Sequence, residues 1–98
     1  MDMRPSRVLH RYREEIRRVA TLHHTQNPRV FGSVLRGEDT ESSDLDLLVE
    51  PLPGTTLFDL GAIQIELEET LGINVDVLTP GDLPAKFRDR VLREAVPV

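Results

Sequence analysis

Apolar residues recur at steps of three and four in the first quarter of the chain, with polar residues between them. This spacing predicts one amphipathic helix that begins after Pro5-Ser6 and runs to about His24, because residues three and four apart share a helix face. Asn27-Pro28 should end it. The predicted apolar stripe consists of Leu9, Tyr12, Ile16, Val19 and His23.

Further along, short apolar runs alternate with helical patterns. Three strands are predicted: Arg29 to Phe31, Leu45 to Glu50 and Ile73 to Thr79. A helix between the last two has Thr56 and Asp59 as a capping box and stops at Gly72. A final helix is predicted to begin at Pro84 and run to about Ala95.

The order α-β-β-α-β-α predicts an α/β (α+β) fold, a small mixed sheet of three to four strands with helices packed against it. Ninety-eight residues predict a single domain, residues 1–98. A chain of this length has little room for an accessory substrate-binding domain. It should therefore complete its substrate surface with a partner or with a second copy of itself.

The most informative segment is Gly32-Ser33, followed after ten residues by Asp44-Leu45-Asp46. A glycine lets the backbone approach phosphate oxygens closely, and turn N–H groups with a serine hydroxyl can donate to those oxygens. Side chains alternate along a strand, so Asp44 and Asp46 should share one face.

Asp76 interrupts another apolar strand in the same manner. Neighbouring strands would bring these three carboxylates together, where they would repel one another unless a cation lay among them. All-oxygen ligands favour Mg²⁺.

Each fragment also has an ordinary interpretation, since Gly-Ser pairs and Asp-x-Asp triplets are common in turns and at solvated strand edges. Their combination is harder to explain in that way. An apolar strand leads directly into Gly32-Ser33, and acids interrupt two strands that are otherwise apolar. Taken together, the segments predict a site for a nucleoside triphosphate with its magnesium.

With Leu35-Arg36-Gly37 and Ser42-Ser43 inside the gap, the segment resembles the nucleotidyltransferase signature of the DNA polymerase β superfamily. The whole chain resembles the minimal nucleotidyltransferases (MNT), antitoxins of HEPN/MNT toxin–antitoxin pairs. The resemblance rests also on Leu57 to Leu60, Gly72 to Leu78 and Arg93 to Val96.

This resemblance implies an Mg²⁺-dependent protein adenylyltransferase with two metal ions, which transfers AMP from ATP to a hydroxyl, a tyrosine by family analogy, of a HEPN ribonuclease toxin. It implies that Asp44, Asp46 and Asp76 hold metal, with Asp46 bridging the ions and Asp76 a candidate base. Gly32 and Ser33 would hold the β- and γ-phosphates.

Two further residues are candidates with open alternatives. Arg36 would pair either with the triphosphate or with a nearby glutamate. Ser43 would either orient Asp44 or cap the strand. Nothing in the sequence identifies a group that recognises the base, so the choice of ATP rests on the family.

Charge is strongly segregated along the chain. Residues 1–36 carry a balance of +5, residues 37–82 carry twelve acids without Lys or Arg, and residues 83–98 carry +2, which gives the net −5. The acidic middle requires metal ions or arginines from elsewhere. The N-terminal arginines alternate with Glu14 and Glu15 at helical spacing, which favours intrahelical pairs over nucleic-acid binding.

No signal peptide or membrane-spanning run is visible and cysteine is absent, so a cytoplasmic protein is expected. A homo-oligomer, or a hetero-oligomer with the toxin, is compatible with the sequence. The alternative function is a non-catalytic antitoxin that neutralises its HEPN partner by binding and masking it.

Overall fold

The computed structural model describes residues 2–98, which form five α-helices, a 3₁₀ turn and four strands. In chain order these elements are α1 (Pro5–Arg11), α2 (Arg13–Leu22), β1 (Thr25–Phe31), α3 (Ser33–Arg36), β2 (Leu45–Pro51), α4 (Leu57–Leu71), β3 (Val75–Leu78), the 3₁₀ turn (Pro80–Asp82), α5 (Ala85–Glu94) and β4 (Val96–Pro97). The fold class predicted from the sequence, a small mixed sheet with packed helices, is confirmed.

The four strands form one sheet in the order β3-β2-β1-β4. β1 runs antiparallel to both β2 and β4, whereas β2 and β3 are parallel and are joined through α4. The register places Phe31 beside Asp46 and Asp46 beside Asp76. Since directly paired residues point to the same side of a sheet, these three side chains share one face.

The hydrophobic core lies on the opposite face, between the sheet and helices α1, α2 and α4. Leu45 and Leu47 of β2 are fully buried there and face the buried stripes of the helices. The alternation of β2 therefore directs Leu45 and Leu47 into the core and Asp46 away from it. Helix α5 lies on the carboxylate side, where Arg88 donates to the carbonyl oxygens of Pro80 and Leu83 at 3.0 and 2.9 Å.

The single N-terminal helix predicted from the sequence is wrong in two respects. Tyr12 leaves the helical conformation and divides the segment into α1 and α2, and α2 ends at Leu22. His24 takes a left-handed conformation with φ of 62° and contacts Asp59 through Nδ1, at 3.1 Å, so it lies outside the helix. The apolar spacing continues unbroken across Tyr12, which is why the pattern did not reveal the division.

Strand β1 begins at Thr25, four residues before the predicted start. The pairing with β2 shifts register between Gln26 and Arg29, and Asn27 has a φ of 49°. This irregularity accommodates Pro28, which has no N–H to give to a neighbouring strand. Asn27-Pro28 therefore interrupts the strand instead of separating it from the helix.

Other elements also differ from those predicted. β3 is shorter than predicted, and the short strand β4 and helix α3 were not predicted. The capping box of α4 is present: Thr56 Oγ1 accepts from the Asp59 N–H at 3.4 Å, and Asp59 Oδ2 accepts from the Thr56 N–H at 2.8 Å. Gly72 ends that helix in the left-handed conformation, as predicted.

Within residues 2–98, no helix has the length and apolar character needed to span a membrane.

Candidate active site

A sharp turn connects β1 to α3 at Gly32. Its φ of 79° and ψ of −149° lie in a region that is essentially restricted to glycine. A Cβ at this position would lie 2.3 Å from Oδ2 of Asp46. Glycine is therefore required twice here, once by the backbone conformation and once by the close approach of the Asp46 carboxylate. Ser33 follows as the first residue of α3, so the predicted Gly-Ser pair lies directly against the predicted acid.

The two predicted carboxylate strands are neighbours. Asp46 and Asp76 occupy paired positions of the parallel strands β2 and β3, and Asp44 lies immediately before β2. Parallel strands are separated by about 4.8 Å, which places the Asp46 and Asp76 side chains side by side. Asp46 is half-buried, whereas Asp44 and Asp76 are exposed.

The surroundings of Asp46 oppose its ionisation. Burial, followed by the negative charges of Asp76 and Asp44 and a hydrogen bond with Asp76, raises its pKa from 3.8 to about 6. The positive charge of Arg36 acts in the opposite direction. A nearby cation stabilises the ionised form of a carboxylate whose ionisation is opposed in this way.

The donor set fits a hard divalent cation that a substrate helps to hold. Among residues 2–98, no three His, Cys, Asp or Glu side chains are grouped closely enough to enclose a metal ion on their own. Mg²⁺ ordinarily takes one or two carboxylates and fills the rest of its shell with water and substrate phosphates. The adjacent carboxylates of Asp46 and Asp76 match that requirement, since they supply oxygen ligands without a closed cage.

The structure places Arg36 and Ser43 in local contacts. Arg36 Nε donates to Glu38 Oε2 at 3.2 Å, while its charge still reaches Asp46. This ion pair is exposed and therefore weak, so Arg36 can also pair with a bound triphosphate. The Ser43 hydroxyl accepts from the Thr40 N–H at 2.9 Å, which makes it part of a turn in the loop before β2.

The residues that anchor this loop were not predicted from the sequence. Asp39, which is buried, accepts from the Ser6 N–H at 2.9 Å and so fixes the loop to the first turn of α1. Glu41 accepts from the Met3 N–H at 3.0 Å. These bonds join positions more than thirty residues apart, and no local pattern in the sequence indicates them. They hold the segment that leads into Asp44.

A glycine turn against paired carboxylates, at one end of the strands of a mixed sheet, defines an oxygen-donor site. Residues 12–98 match the family model described as nucleotidyltransferase domain. The chain therefore belongs to the nucleotidyltransferase domain family, and the enzyme class predicted from the sequence is confirmed.

Curated relatives give the same picture. The chain is 46% identical over 76 residues to MJ0435 of Methanocaldococcus jannaschii, whose name provisionally describes a protein adenylyltransferase; the match covers 78% of this chain and 82% of that protein. It is 42% identical over 71 residues to the protein adenylyltransferase MntA of Thermococcus cleftensis, covering 68% of each.

Two solved structures share the fold. One, described provisionally as a minimal nucleotidyltransferase, superimposes with a TM-score of 0.85 at 42% identity and covers 100% of this chain and 97% of its own. The other, a toxin–antitoxin crystal structure with AMP-PNP, gives a TM-score of 0.72 at 17% identity, covering 86% of this chain and 69% of its own. At that identity the second likeness shows the fold alone.

Proposed function

We propose that this protein is an Mg²⁺-dependent protein adenylyltransferase that transfers AMP from ATP to a hydroxyl, a tyrosine by family analogy, of a HEPN-domain toxin, and so acts as its antitoxin. The observation that carries the proposal is the contact between the Gly32 turn and Asp46. It places the backbone turn that would hold phosphate directly against Asp46, whose neighbour in the sheet is Asp76. Such an arrangement supports the binding of a triphosphate and its metal together.

Each residue has a defined role in the proposed reaction. The N–H groups at Gly32 and Ser33 and the serine hydroxyl hold the β- and γ-phosphates, with Arg36 nearby as a compensating charge. The acceptor oxygen bonds to the α-phosphorus, the bond from that phosphorus to the β-phosphate oxygen breaks, and pyrophosphate leaves. A carboxylate oxygen of Asp76 takes the acceptor's proton.

Asp44, Asp46 and Asp76 would hold the metal. When bound, Mg²⁺ supplies positive charge that offsets the triphosphate and the developing charge on the leaving oxygen. Asp46 remains anionic at neutral pH in that state because a neighbouring cation lowers a carboxylate pKa.

The choice of donor and acceptor has separate support. The name of the relative MntA describes transfer of adenylyl groups to protein, and the structural neighbour was crystallised with an ATP analogue. Asp44 and Asp76 are exposed, so a protein hydroxyl can reach them. The relative's name and the ATP analogue favour ATP as donor, and the relative's name and the exposed carboxylates favour a protein as acceptor.

Substitution of Asp44 by Asn tests the proposal with little risk to folding, because Asp44 is exposed and precedes β2. We expect the wild-type chain, with ATP and Mg²⁺, to add one or more AMP units to its cognate HEPN protein. We expect Asp44→Asn to slow that addition about a hundredfold or more, because loss of one group that offsets reaction charge has effects of this order. Intact-mass spectrometry measures the gain directly. An unmodified toxin with the wild-type chain would contradict the proposal.

A masking antitoxin is the second candidate, and the outer surface of α4 favours it. Phe58 and Ile65 are 89% and 59% exposed, and they lie seven residues apart on one face of the helix, with Gly61 and Ala62 between them. The opposite face of α4 packs into the core. A helix that is apolar on both sides is typical of one that a partner covers. This outer apolar face begins where β2 ends, at the other end of that strand from Asp46.

Phe58→Asp distinguishes masking from catalysis. We expect the variant to weaken the complex with the HEPN protein at least tenfold, because a charge replaces the largest and most exposed apolar side chain of the outer apolar face. Asp44→Asn should leave that affinity unchanged. Titration calorimetry measures both. If Asp44→Asn still neutralises the toxin fully and Phe58→Asp does not, masking is the function and catalysis is not.

A further inference from the structure

An apolar groove of about 280 Å³ lies between the sheet and α5, next to the candidate active site. Its walls include Phe31 and Leu78 at the ends of β1 and β3, and Phe87 and Val91 on α5. Phe87 is 45% exposed, and Lys86 Nζ lies over its ring at 5.6 Å from the ring centre. The volume is just below the usual range for clefts that hold drug-sized molecules, so it suits a part of a ligand, such as one ring system.

The groove is continuous with the site described above. Gly32 and Arg36 line it. Phe31, in its wall, is the strand partner of Asp46 in β1 and shares its face of the sheet. If the phosphates of a nucleotide lie at the Gly32 turn, the group attached to those phosphates can therefore reach this groove.

A second cavity near the site has the wrong charge for an anionic ligand. It measures about 490 Å³, lies beside Ser43 and is lined by Glu41 and Glu68. The groove at α5 instead carries Arg36 and Arg90, the latter 3.5 Å from Glu94. Of these two cavities, only the groove combines arginines, which attract a polyanion, with an apolar wall that suits a ring.

We propose that this groove binds the nucleoside of the donor nucleotide, with the base against the ring of Phe87. The inference rests on the proposed function, since it supplies the half of the donor site that the carboxylates and the glycine turn do not. Stacking of a base on an aromatic ring suits any base, because every base has a flat π-face. Arg90 and Glu94 also line the groove and offer a donor and an acceptor for the polar edge of a base.

Binding measurements on two exposed phenylalanines test the proposal. Phe87→Ala removes the ring from the groove, and Phe58→Ala is the matched control on α4. The ligands are a non-hydrolysable ATP analogue and inorganic triphosphate, each with Mg²⁺, measured by titration calorimetry. We expect Phe87→Ala to raise the Kd of the analogue about tenfold and to leave that of triphosphate unchanged. Phe58→Ala should change neither value, and Phe87→Tyr should bind the analogue as the wild type does.

Other results would overturn the inference. Equal loss of both ligands in Phe87→Ala would show a general structural effect, and unchanged binding of the analogue would show that the base lies elsewhere. Unchanged binding with slower AMP transfer to the toxin would assign the groove to the acceptor segment. The proposed function stands or falls separately: AMP transfer by the wild type with no effect of Phe87→Ala on the analogue would remove the groove proposal alone. Selective loss of the analogue without any transfer to the toxin would remove the acceptor instead.

Discussion

Asp46→Asn is expected to abolish nucleotidyl transfer while it leaves the metal-free fold more stable than the wild type. The loss of activity follows from the position of Asp46, which touches the Gly32 turn and pairs with Asp76. An amide cannot supply the negative charge that a cation requires. We expect a reduction of at least a hundredfold, the usual order for loss of one electrostatic group in an active site.

The gain in stability follows from the raised pKa of Asp46. The folded chain holds the proton of this acid up to about pH 6, whereas the unfolded chain releases it near 3.8. Ionisation of Asp46 therefore does not lower the free energy of unfolding below pH 3.8. The destabilisation grows between pH 3.8 and about pH 6 and reaches its full value above pH 6. Allowing for solvent screening at this half-buried position, the cost at pH 7 is about 1 kcal/mol.

Thermal unfolding in the presence of a chelator measures this difference. The Tm of Asp46→Asn should exceed that of the wild type at pH 7, and the two values should converge as the pH falls toward 4. A constant difference across that range would contradict the raised pKa. A destabilised variant at pH 7 would show that the carboxylate is held by contacts that an amide cannot replace.

The sequence allowed most of the fold to be predicted, because local signals at the element ends were strong. Thr56 with Asp59 marked the start of α4 and Gly72 its end, and both are found as predicted. The signals were weak where the structure depends on distant contacts. Val96 forms a strand only because β1 offers it an edge for pairing at Val30, and two residues carry too little periodicity to indicate a strand.

The candidate site divides in the same way. Alternation within β2 and β3 predicted that Asp46 and Asp76 would share a face, and the parallel pairing places them side by side. The contact of Gly32 with Asp46 depends on how β1 pairs with β2, which spacing alone does not specify. The groove at α5 was also beyond reach, because it forms between segments from β1, β3 and α5 that are distant in the chain. Tertiary packing decides such features, and sequence periodicity describes only single elements.

Gly32→Ala is expected to lower both stability and activity. The new Cβ would lie 2.3 Å from the Asp46 carboxylate, so the turn or the acid must move. The backbone at this position, with φ of 79°, is also strained for any residue with a Cβ. Together these effects should cost about 2 kcal/mol or more in the free energy of unfolding, which corresponds to a fall of about 10 °C in Tm for a chain of this size.

Gly37→Ala provides the matched control, because Gly37 ends the same short helix with a φ of 70° but has nothing within 4 Å of its Cβ position. It should cost about 1 kcal/mol through backbone strain alone and leave AMP transfer close to the wild-type rate. Calorimetric unfolding and single-turnover transfer, measured on both variants below their Tm, separate the two effects. Equal transfer rates in the two variants would show that the glycine turn beside Asp46 has no part in catalysis. A selective loss in Gly32→Ala would instead attribute the requirement for glycine to this turn, where both the backbone conformation and the Asp46 carboxylate exclude a Cβ.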